Sequence, residues 1–151
     1  MENRPKAITK TLSLNDSGET GGHQAGILVP RRADIVRFFP DLGNEEKNPR
    51  VALFFGDSSG RIWKFNFIYY NNKFFDPEGT RNEYRLTGMT AYIRENNLKA
   101  GDDIVLTRDE DDNYVIQYKR SKHVDVKIIT EEDGKKKRRL VLETKWKVIE
   151  Y

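Results

Sequence analysis

The sequence predicts a mainly β protein, a small barrel or sandwich, over one domain spanning residues 1–151. Three observations lead to this fold class: apolar and polar residues alternate with period two in several stretches, turn-forming residues separate these stretches, and only two short segments have a helical pattern. The longer helices that alternate with strands in a doubly wound sheet are missing. Eight Phe, seven Tyr and two Trp are enough large side chains for a single core.

Strand candidates follow one another along most of the chain. The clearest is residues 61–70, where Trp63, Phe65 and Phe67 share one face and Lys64 and Asn66 point to the other. That arrangement is typical of a half-buried strand. Further strands are predicted at residues 7–14, 24–29, 51–55, 80–86, 104–108 and 113–118, with a polar turn at 109–112.

Two short helices and a C-terminal hairpin complete the prediction. One helix is expected at 31–39, before Pro40, and the other at 90–97. Period-two alternation returns at 124–128 and at 140–148, and Asp133-Gly134 between them is a strong hairpin signal. We therefore expect a β-hairpin over residues 122–150.

Composition excludes several classes of protein. Because the chain has no cysteine, a disulfide framework, a thiolate zinc site and a cysteine nucleophile are all excluded. No apolar run reaches the roughly 20 residues of a membrane-spanning helix, and the N-terminus lacks the apolar core of a signal peptide. We expect a cytoplasmic location.

The net charge of +3 is unevenly distributed. Residues 119–151 carry 11 Lys and Arg against 6 Asp and Glu, and this leaves 16 against 18 for residues 1–118. The basic run 135–139 suits a phosphate backbone, but a solvated hairpin tip explains it equally well. Both interpretations stay open.

Two loops have the composition of recognition segments. The first, residues 15–24, is polar and glycine-rich. Its glycines match neither Gly-x-x-x-x-Gly-Lys-Ser/Thr nor Gly-x-Gly-x-x-Gly, the two glycine-rich motifs that bind nucleotide phosphates. The second, residues 71–79, leads into Thr80–Arg85, where Arg81, Glu83 and Arg85 share one face if the segment is extended. Arginine can donate two hydrogen bonds to guanine, and a carboxylate can accept one from cytosine N4. The alternative is a surface ladder in which Glu83 neutralises two arginines.

Catalytic and metal-binding motifs are sparse. His23 and His123 are the only histidines, so neither a multi-histidine zinc site nor a Ser/His/Asp triad is expected. Pro40-Asp41 with Glu45-Glu46-Lys47 has the letters of a metal-dependent nuclease motif, but three residues separate the two parts and they cannot lie on adjacent strands. Glu143-Thr144-Lys145 also has the Glu-x-Lys letters of that motif but lacks a matching Pro-Asp upstream. No cofactor is predicted.

Residues 15–30 and Gly79-Thr80-Arg81-Asn82-Glu83 resemble the two signature stretches of the EcoRII N-terminal, effector-binding domain family, a DNA-binding pseudobarrel related to plant B3 domains. The resemblance spans about residues 10–118, including the turn 97–102, and leaves 122–150 outside. It implies a seven-stranded open barrel with two arms that grip duplex DNA in the major groove. We name residues 13–24 the first arm and residues 79–85 the second arm.

The resemblance also implies a function and a set of contacts. The domain would bind a short site such as CC(A/T)GG for a type II restriction endonuclease, with a nuclease domain elsewhere in the polypeptide and an isolated domain that is monomeric. His23, Arg81 and Glu83 match base readers of the family, whereas Tyr84 stands where a basic residue is expected. The candidate DNA contacts are Lys10, Ser13, Asn15, Asp16, Ser17, Thr20, His23, Gln24, Lys73, Thr80, Arg81, Asn82, Glu83, Tyr84 and Arg85.

Three functions therefore compete. The chain is a sequence-reading DNA-binding domain without catalysis, a small metal-dependent nuclease that uses Glu143 and Lys145, or a protein-interaction barrel without a nucleic acid partner. Salt-dependent duplex binding separates the first function from the third. Cleavage in the presence of magnesium separates the second from the first.

Overall fold

The computed structural model describes residues 4–18, 26–121 and 145–151. These residues form a mainly β domain with three short helices and one 3-10 helix. The helices are α1 (Leu14–Ser17), α2 (Ala33–Val36) and α3 (Thr90–Glu95), and the 3-10 helix is Asn72–Phe74. The strands are β1 (Ala7–Thr11), β2 (Ile27–Val29), β3 (Arg50–Gly56), β4 (Ile62–Tyr70), β5 (Glu83–Thr87), β6 (Asp103–Arg108), β7 (Tyr114–Lys119) and β8 (Trp146–Glu150).

All eight strands belong to one sheet, which curves into a nearly closed barrel. Their order is β2-β5-β4-β3-β7-β6-β1-β8. Neighbouring strands are antiparallel except β3 and β7, which pair in parallel over only two positions, Phe55 with Tyr114 and Gly56 with Val115. Strands β2 and β8 are thus the two edges of the sheet.

Side chains bridge these two edges. The indole Nε1 of Trp146 in β8 donates a hydrogen bond of 2.9 Å to the carbonyl of Leu28 in β2. Arg32 donates through Nη1 to the carbonyl of Trp146 at 3.2 Å. The Trp146 ring is buried and meets Phe39 edge to face. An open sheet edge leaves backbone groups unpaired. Within the described residues β2 and β8 do not pair with each other, so these side-chain contacts close the barrel between them.

The core lies inside the barrel and follows the alternation in the sequence. Trp63, Phe65 and Phe67 of β4 point inward and are buried, while Lys64 between them is exposed. Helices α2 and α3 cover the ends with Ile35, Tyr92 and Ile93. Other fully buried side chains include Ile8, Leu12, Phe38, Phe55, Leu86, Ile104, Leu106 and Ile116.

The predicted mainly β barrel is confirmed, with one more strand than the seven that the resemblance implies. The second strand of the expected C-terminal hairpin is β8, and it pairs with β1 as part of the barrel. Its position follows from Trp146, whose ring needs burial and whose N–H needs an acceptor. The rest of that hairpin, residues 122–144, lies outside the described residues.

Several boundaries differ from the prediction for local reasons. Strand β1 ends at Thr11 rather than 14, because Ser13 caps α1. Strand β5 begins at Glu83 rather than 80, because the backbone of Arg81 bonds to the loop around Asn72. The helix predicted at 31–39 is regular only over Ala33–Val36, although its apolar residues are buried as expected. No helix among the described residues is long and apolar enough to cross a membrane.

Candidate nucleic-acid interface

The sequence-predicted trio Arg81, Glu83 and Arg85 forms a ladder on the outer face of β5. Glu83 Oε2 accepts a hydrogen bond from Arg81 Nη2 at 2.8 Å and another from Arg85 Nε at 2.7 Å. All three side chains are partly exposed, between 23% and 37%. The shared face that the sequence predicted is therefore present, although Arg81 lies just before the strand. We call Arg81, Glu83 and Arg85 the ladder.

The two arginines of the ladder are held differently. Arg85 also donates through Nη1 to the carbonyl of Gly26 at 3.0 Å, so it is fixed at two points. Arg81 lies over the ring of Tyr70, with Cζ 3.9 Å from the ring centroid. Among the described residues, nothing accepts a hydrogen bond from its Nε or Nη1. Arg81 is thus oriented by stacking and keeps donors for a further partner.

Glu83 stays ionised between its neighbours. The hydrogen bond from Arg81 is the largest influence that lowers the pKa of Glu83 below its ordinary value, and Arg85 adds a second. Partial burial opposes this shift but is outweighed. At neutral pH the group can therefore only accept hydrogen bonds, as a contact to an amino group requires.

The second arm is fixed at its root by Asn72. Asn72 Oδ1 accepts the backbone N–H of Arg81 at 2.9 Å, and the N–H of Lys73 donates to the carbonyl of Arg81 at 3.1 Å. Gly79 packs so closely on the backbone of Asn72 that a Cβ there would overlap the Asn72 carbonyl. Glycine is required at this position by space. Lys73 and Thr80 are exposed beside this root.

The root of the first arm is a capped helical turn. Ser13 and Asp16 form a capping box, in which Ser13 Oγ accepts from the Asp16 N–H at 3.0 Å and Asp16 Oδ2 accepts from the Ser13 N–H at 2.9 Å. Gly18 ends the turn with φ +85°. Asn15 is exposed, and Ser17 donates through Oγ to the carbonyl of Leu14. This helix was not predicted from the sequence, although Ser13 and Asp16 have the spacing of the motif.

Lys10, one of the candidate DNA contacts, is mostly buried. Its side chain is only 10% exposed, and Nζ lies 3.3 Å from Asp16 Oδ2. This ion pair joins β1 to the capped turn of the first arm. Lys10 and Asp16 therefore stabilise the root of the arm in the free protein. Thr20, His23 and Gln24 lie outside the described residues.

Gly26, the first described residue after the first arm, contacts the ladder. This residue follows the first arm, has φ +101°, and leads into β2, which pairs with β5. A Cβ on Gly26 would lie 2.7 Å from Thr87 Cγ2 and 2.8 Å from the carbonyl of Leu86. With the bond from Arg85 to its carbonyl, Gly26 therefore holds the start of β2 close against β5 beside the ladder. No local pattern in the sequence marks Gly26 as part of the site.

Two other candidates of the second arm face the barrel. Tyr84 stacks on Tyr69 with ring centroids 4.4 Å apart and on Phe67 at 5.4 Å, and burial raises its pKa above the ordinary value. Asn82 accepts a hydrogen bond of 2.7 Å from the hydroxyl of Tyr69. These contacts hold β4 and β5 together behind the ladder. Tyr84 and Asn82 therefore have a structural role in the free protein.

The described residues do not assemble a metal site. Within 4–18, 26–121 and 145–151, no three His, Asp or Glu side chains are grouped to hold a metal ion. Lys47, from the nuclease-like letters, pairs with Asp76 at 2.7 Å rather than with Asp41 or Glu45. Glu143 lies outside the described residues.

Comparison with known proteins gives a consistent family. The family model for the N-terminal region of restriction endonuclease EcoRII matches residues 4–134. The type II restriction enzyme EcoRII of Escherichia coli is 41% identical over 81 residues, which are 52% of this chain and 19% of that enzyme. Auxin response factor 18 of Oryza sativa subsp. japonica is 30% identical over 123 residues, 81% of this chain and 16% of that protein.

A solved structure has the same fold. The Arabidopsis FUS3–DNA complex aligns with a TM-score of 0.54 at 22% identity, and the match covers 76% of this chain and 96% of that one. The chain spans less than a fifth of the curated relatives described above.

Proposed function

The chain belongs to the restriction endonuclease EcoRII N-terminal family, a family of B3-like DNA-binding domains, and from this premise we propose that it recognises a short double-stranded DNA site through the major groove with its two arms. Two lines of comparison support the proposal: the matched family, and a solved DNA complex with the same fold. Within the described residues, Arg85 of the second arm also donates to the carbonyl of Gly26, which lies two residues after the first arm in the sequence.

The ladder is the observation that carries the proposal. Arg81 has donors left over and a guanidinium held over the Tyr70 ring, and such a group can make bidentate contact with guanine O6 and N7. Glu83 remains an acceptor and suits cytosine N4. A G·C pair would thus be read by adjacent side chains, with the Arg81–Glu83 ion pair relaxing toward the bases.

A ladder that only neutralises charge on the surface would have the same geometry in the free protein as a ladder that reads bases. The two interpretations are separated by the free energies of the interactions involved. An ion pair between partly exposed groups contributes about 0–1 kcal/mol. A good bidentate base contact contributes about 1–3 kcal/mol of discrimination. Exchange of one interaction for the other is therefore favourable on a G·C pair and unfavourable elsewhere, as sequence recognition requires.

We further propose that the target is flanked by C·G pairs, with CC(A/T)GG as the first site to test. The retained Arg81 and Glu83 support this choice. The natural context would be the effector-binding domain of a type II restriction endonuclease whose catalytic domain lies elsewhere in the polypeptide. The isolated domain would be monomeric. No specific observation favours the nuclease alternative for this chain.

The decisive experiment is a binding screen over randomised duplexes, followed by measurement of cognate and random affinities at one salt concentration. Arg81→Ala should lower cognate affinity by about 1–3 kcal/mol and random affinity much less. Lys73→Ala is the matched control: Lys73 is exposed beside the same arm and should contact only phosphates. It should weaken all sequences alike and reduce the salt slope by about one.

Two results would refute the proposal. If the wild-type chain binds no duplex at low salt, the domain does not recognise DNA. If Arg81→Ala and Lys73→Ala change the cognate-to-random ratio equally, Arg81 does not read bases and the ladder is only a surface feature. Replacement of the acceptor, Glu83→Ala, should lower the ratio while raising random affinity, because it removes a negative charge that faces phosphates.

A further inference from the structure

The outer face of the sheet continues beyond the ladder into a cavity of about 300 Å³. Strand register defines this face: Tyr70 lies opposite Glu83, Ile68 opposite Arg85 and Asn66 opposite Thr87. Arg50 of β3 lies opposite Ile68 on the other side. Arg50, Asn66, Tyr70 and Thr87 contribute the polar side chains of its lining that the argument uses.

The electrostatics of this cavity favour an anion. The described residues that line it include the Arg50 guanidinium and no carboxylate. Of two other cavities in the described part of the chain, one of about 550 Å³ has two arginines and two carboxylates, and one of about 430 Å³ has two basic and four acidic residues. A negatively charged group would therefore meet net attraction at Arg50, balanced charge in the second cavity and net repulsion in the third.

The polar groups of the cavity also have hydrogen-bonding capacity to spare. Arg50 makes one long side-chain bond, from Nε to the carbonyl of Asn48 at 3.4 Å. The structure shows no side-chain hydrogen bond from Asn66, Tyr70 or Thr87 to any described residue. A guanidinium, an amide and hydroxyls around one space are the groups that bind phosphate oxygens in protein–DNA complexes.

The cavity lies at a useful distance from the ladder. Tyr70 belongs to both, because it supports Arg81 and lines the cavity. From Tyr70 to Asn66 is four strand residues, which is about 13–14 Å and equals about four base-pair rises. A phosphate held at Asn66 and Arg50 is thus within about four base pairs of the pair read by Arg81.

We propose that this cavity, with Arg50 and Asn66 as its principal contacts, binds one backbone phosphate beside the base pairs read by the ladder. The inference rests on the proposed DNA recognition and adds a contact that fixes the position of the duplex without reading its sequence. Since the bound group is a phosphate of the duplex, the contact is independent of the adjacent base.

The test combines a charge-removing variant with neutral DNA linkages. Arg50→Gln keeps an exposed polar side chain and removes the charge. Arg37→Gln is the matched control, because Arg37 is exposed and lines the cavity that contains Asp41 and Asp112. Affinities of the whole chain are measured against duplexes that carry a single methylphosphonate linkage at each position of the site and its flanks, and over a range of salt.

We expect Arg50→Gln to weaken binding about 3- to 10-fold on cognate and random duplexes alike and to lower the salt slope by about 0.9. A methylphosphonate at one position should weaken DNA binding by the wild type by a similar factor. The same linkage should leave DNA binding by Arg50→Gln unchanged. Arg37→Gln should retain the wild-type response at that linkage. Asn66→Ala should reduce the same linkage effect by a smaller factor.

The outcomes separate this inference from the proposed function. If the wild type binds no duplex, both fail. If the wild type binds specifically but Arg50→Gln keeps the full salt slope, or responds to every neutral linkage as the wild type does, the phosphate site is refuted and DNA recognition stands. An effect of Arg50→Gln that depends on the base sequence would assign Arg50 to base contacts and would also refute it.

Discussion

Trp146→Phe should destabilise the domain by about 2 kcal/mol. The substitution removes the indole N–H that donates to Leu28 at 2.9 Å, which is a loss of about 0.5–1.5 kcal/mol. It also removes part of a side chain that is only 5% exposed, and the space left behind adds roughly 1 kcal/mol. For a domain of this size that sum corresponds to a fall in Tm of about 4–8 °C.

The assay is equilibrium unfolding in urea, followed by far-UV circular dichroism and by the fluorescence of Trp63, which both proteins retain. Ile149→Ala is the control, because Ile149 lies on the same strand, is 53% exposed, and should change stability by no more than about 0.5 kcal/mol. A strand that merely flanked the barrel would tolerate both changes. If Trp146→Phe lowers the free energy of unfolding by no more than Ile149→Ala does, β8 does not close the barrel.

Three further predictions concern the interface. Glu83 has a lowered pKa in the folded state, so its contribution to stability is present above its ordinary pKa of 4.5 and is lost as pH falls through the lower folded-state value. Unfolding measured against pH should therefore show the difference between wild type and Glu83→Gln shrinking on acidification; a constant difference would contradict the ion-paired ladder. His23→Ala should weaken cognate DNA more than random DNA and blur mainly one half of the site, as a base-substitution binding series would show; a uniform loss would make His23 a phosphate contact. The chain alone should not cleave DNA with magnesium or manganese, and site-specific nicking that Glu143→Ala abolishes would reverse that conclusion.

Much of the candidate site was accessible from sequence because it depends on local geometry. Side chains two residues apart in an extended segment share a face, so the relation of Arg81, Glu83 and Arg85 follows without knowledge of the fold. The resemblance identified the arms around them. The support that orients the ladder comes instead from Tyr70 and Gly26, distant in sequence, and no local pattern predicts such contacts.

Lys10 shows the limit of reasoning from residue type. A lysine beside a polar loop is usually exposed, and its partner Asp16 was itself expected to contact DNA. The capped turn at Ser13 folds Asp16 back onto β1, which buries the pair. Exposure of a charge is decided by what packs around it, and that depends on the tertiary structure.

The mainly β class, the inward faces of the strands and the grouping of the ladder follow from the sequence alone, because period-two alternation and hydrophobic burial act within each segment. The closure of the barrel, in contrast, depends on contacts between distant segments. The alternation around Trp146 predicts a strand but does not name its neighbours, since pairing partners far apart in the chain leave no mark on local pattern. The pairing of β8 with β1 and the hydrogen bond from Trp146 to Leu28 require the two edges of the sheet to lie next to each other. That proximity is a property of the whole fold.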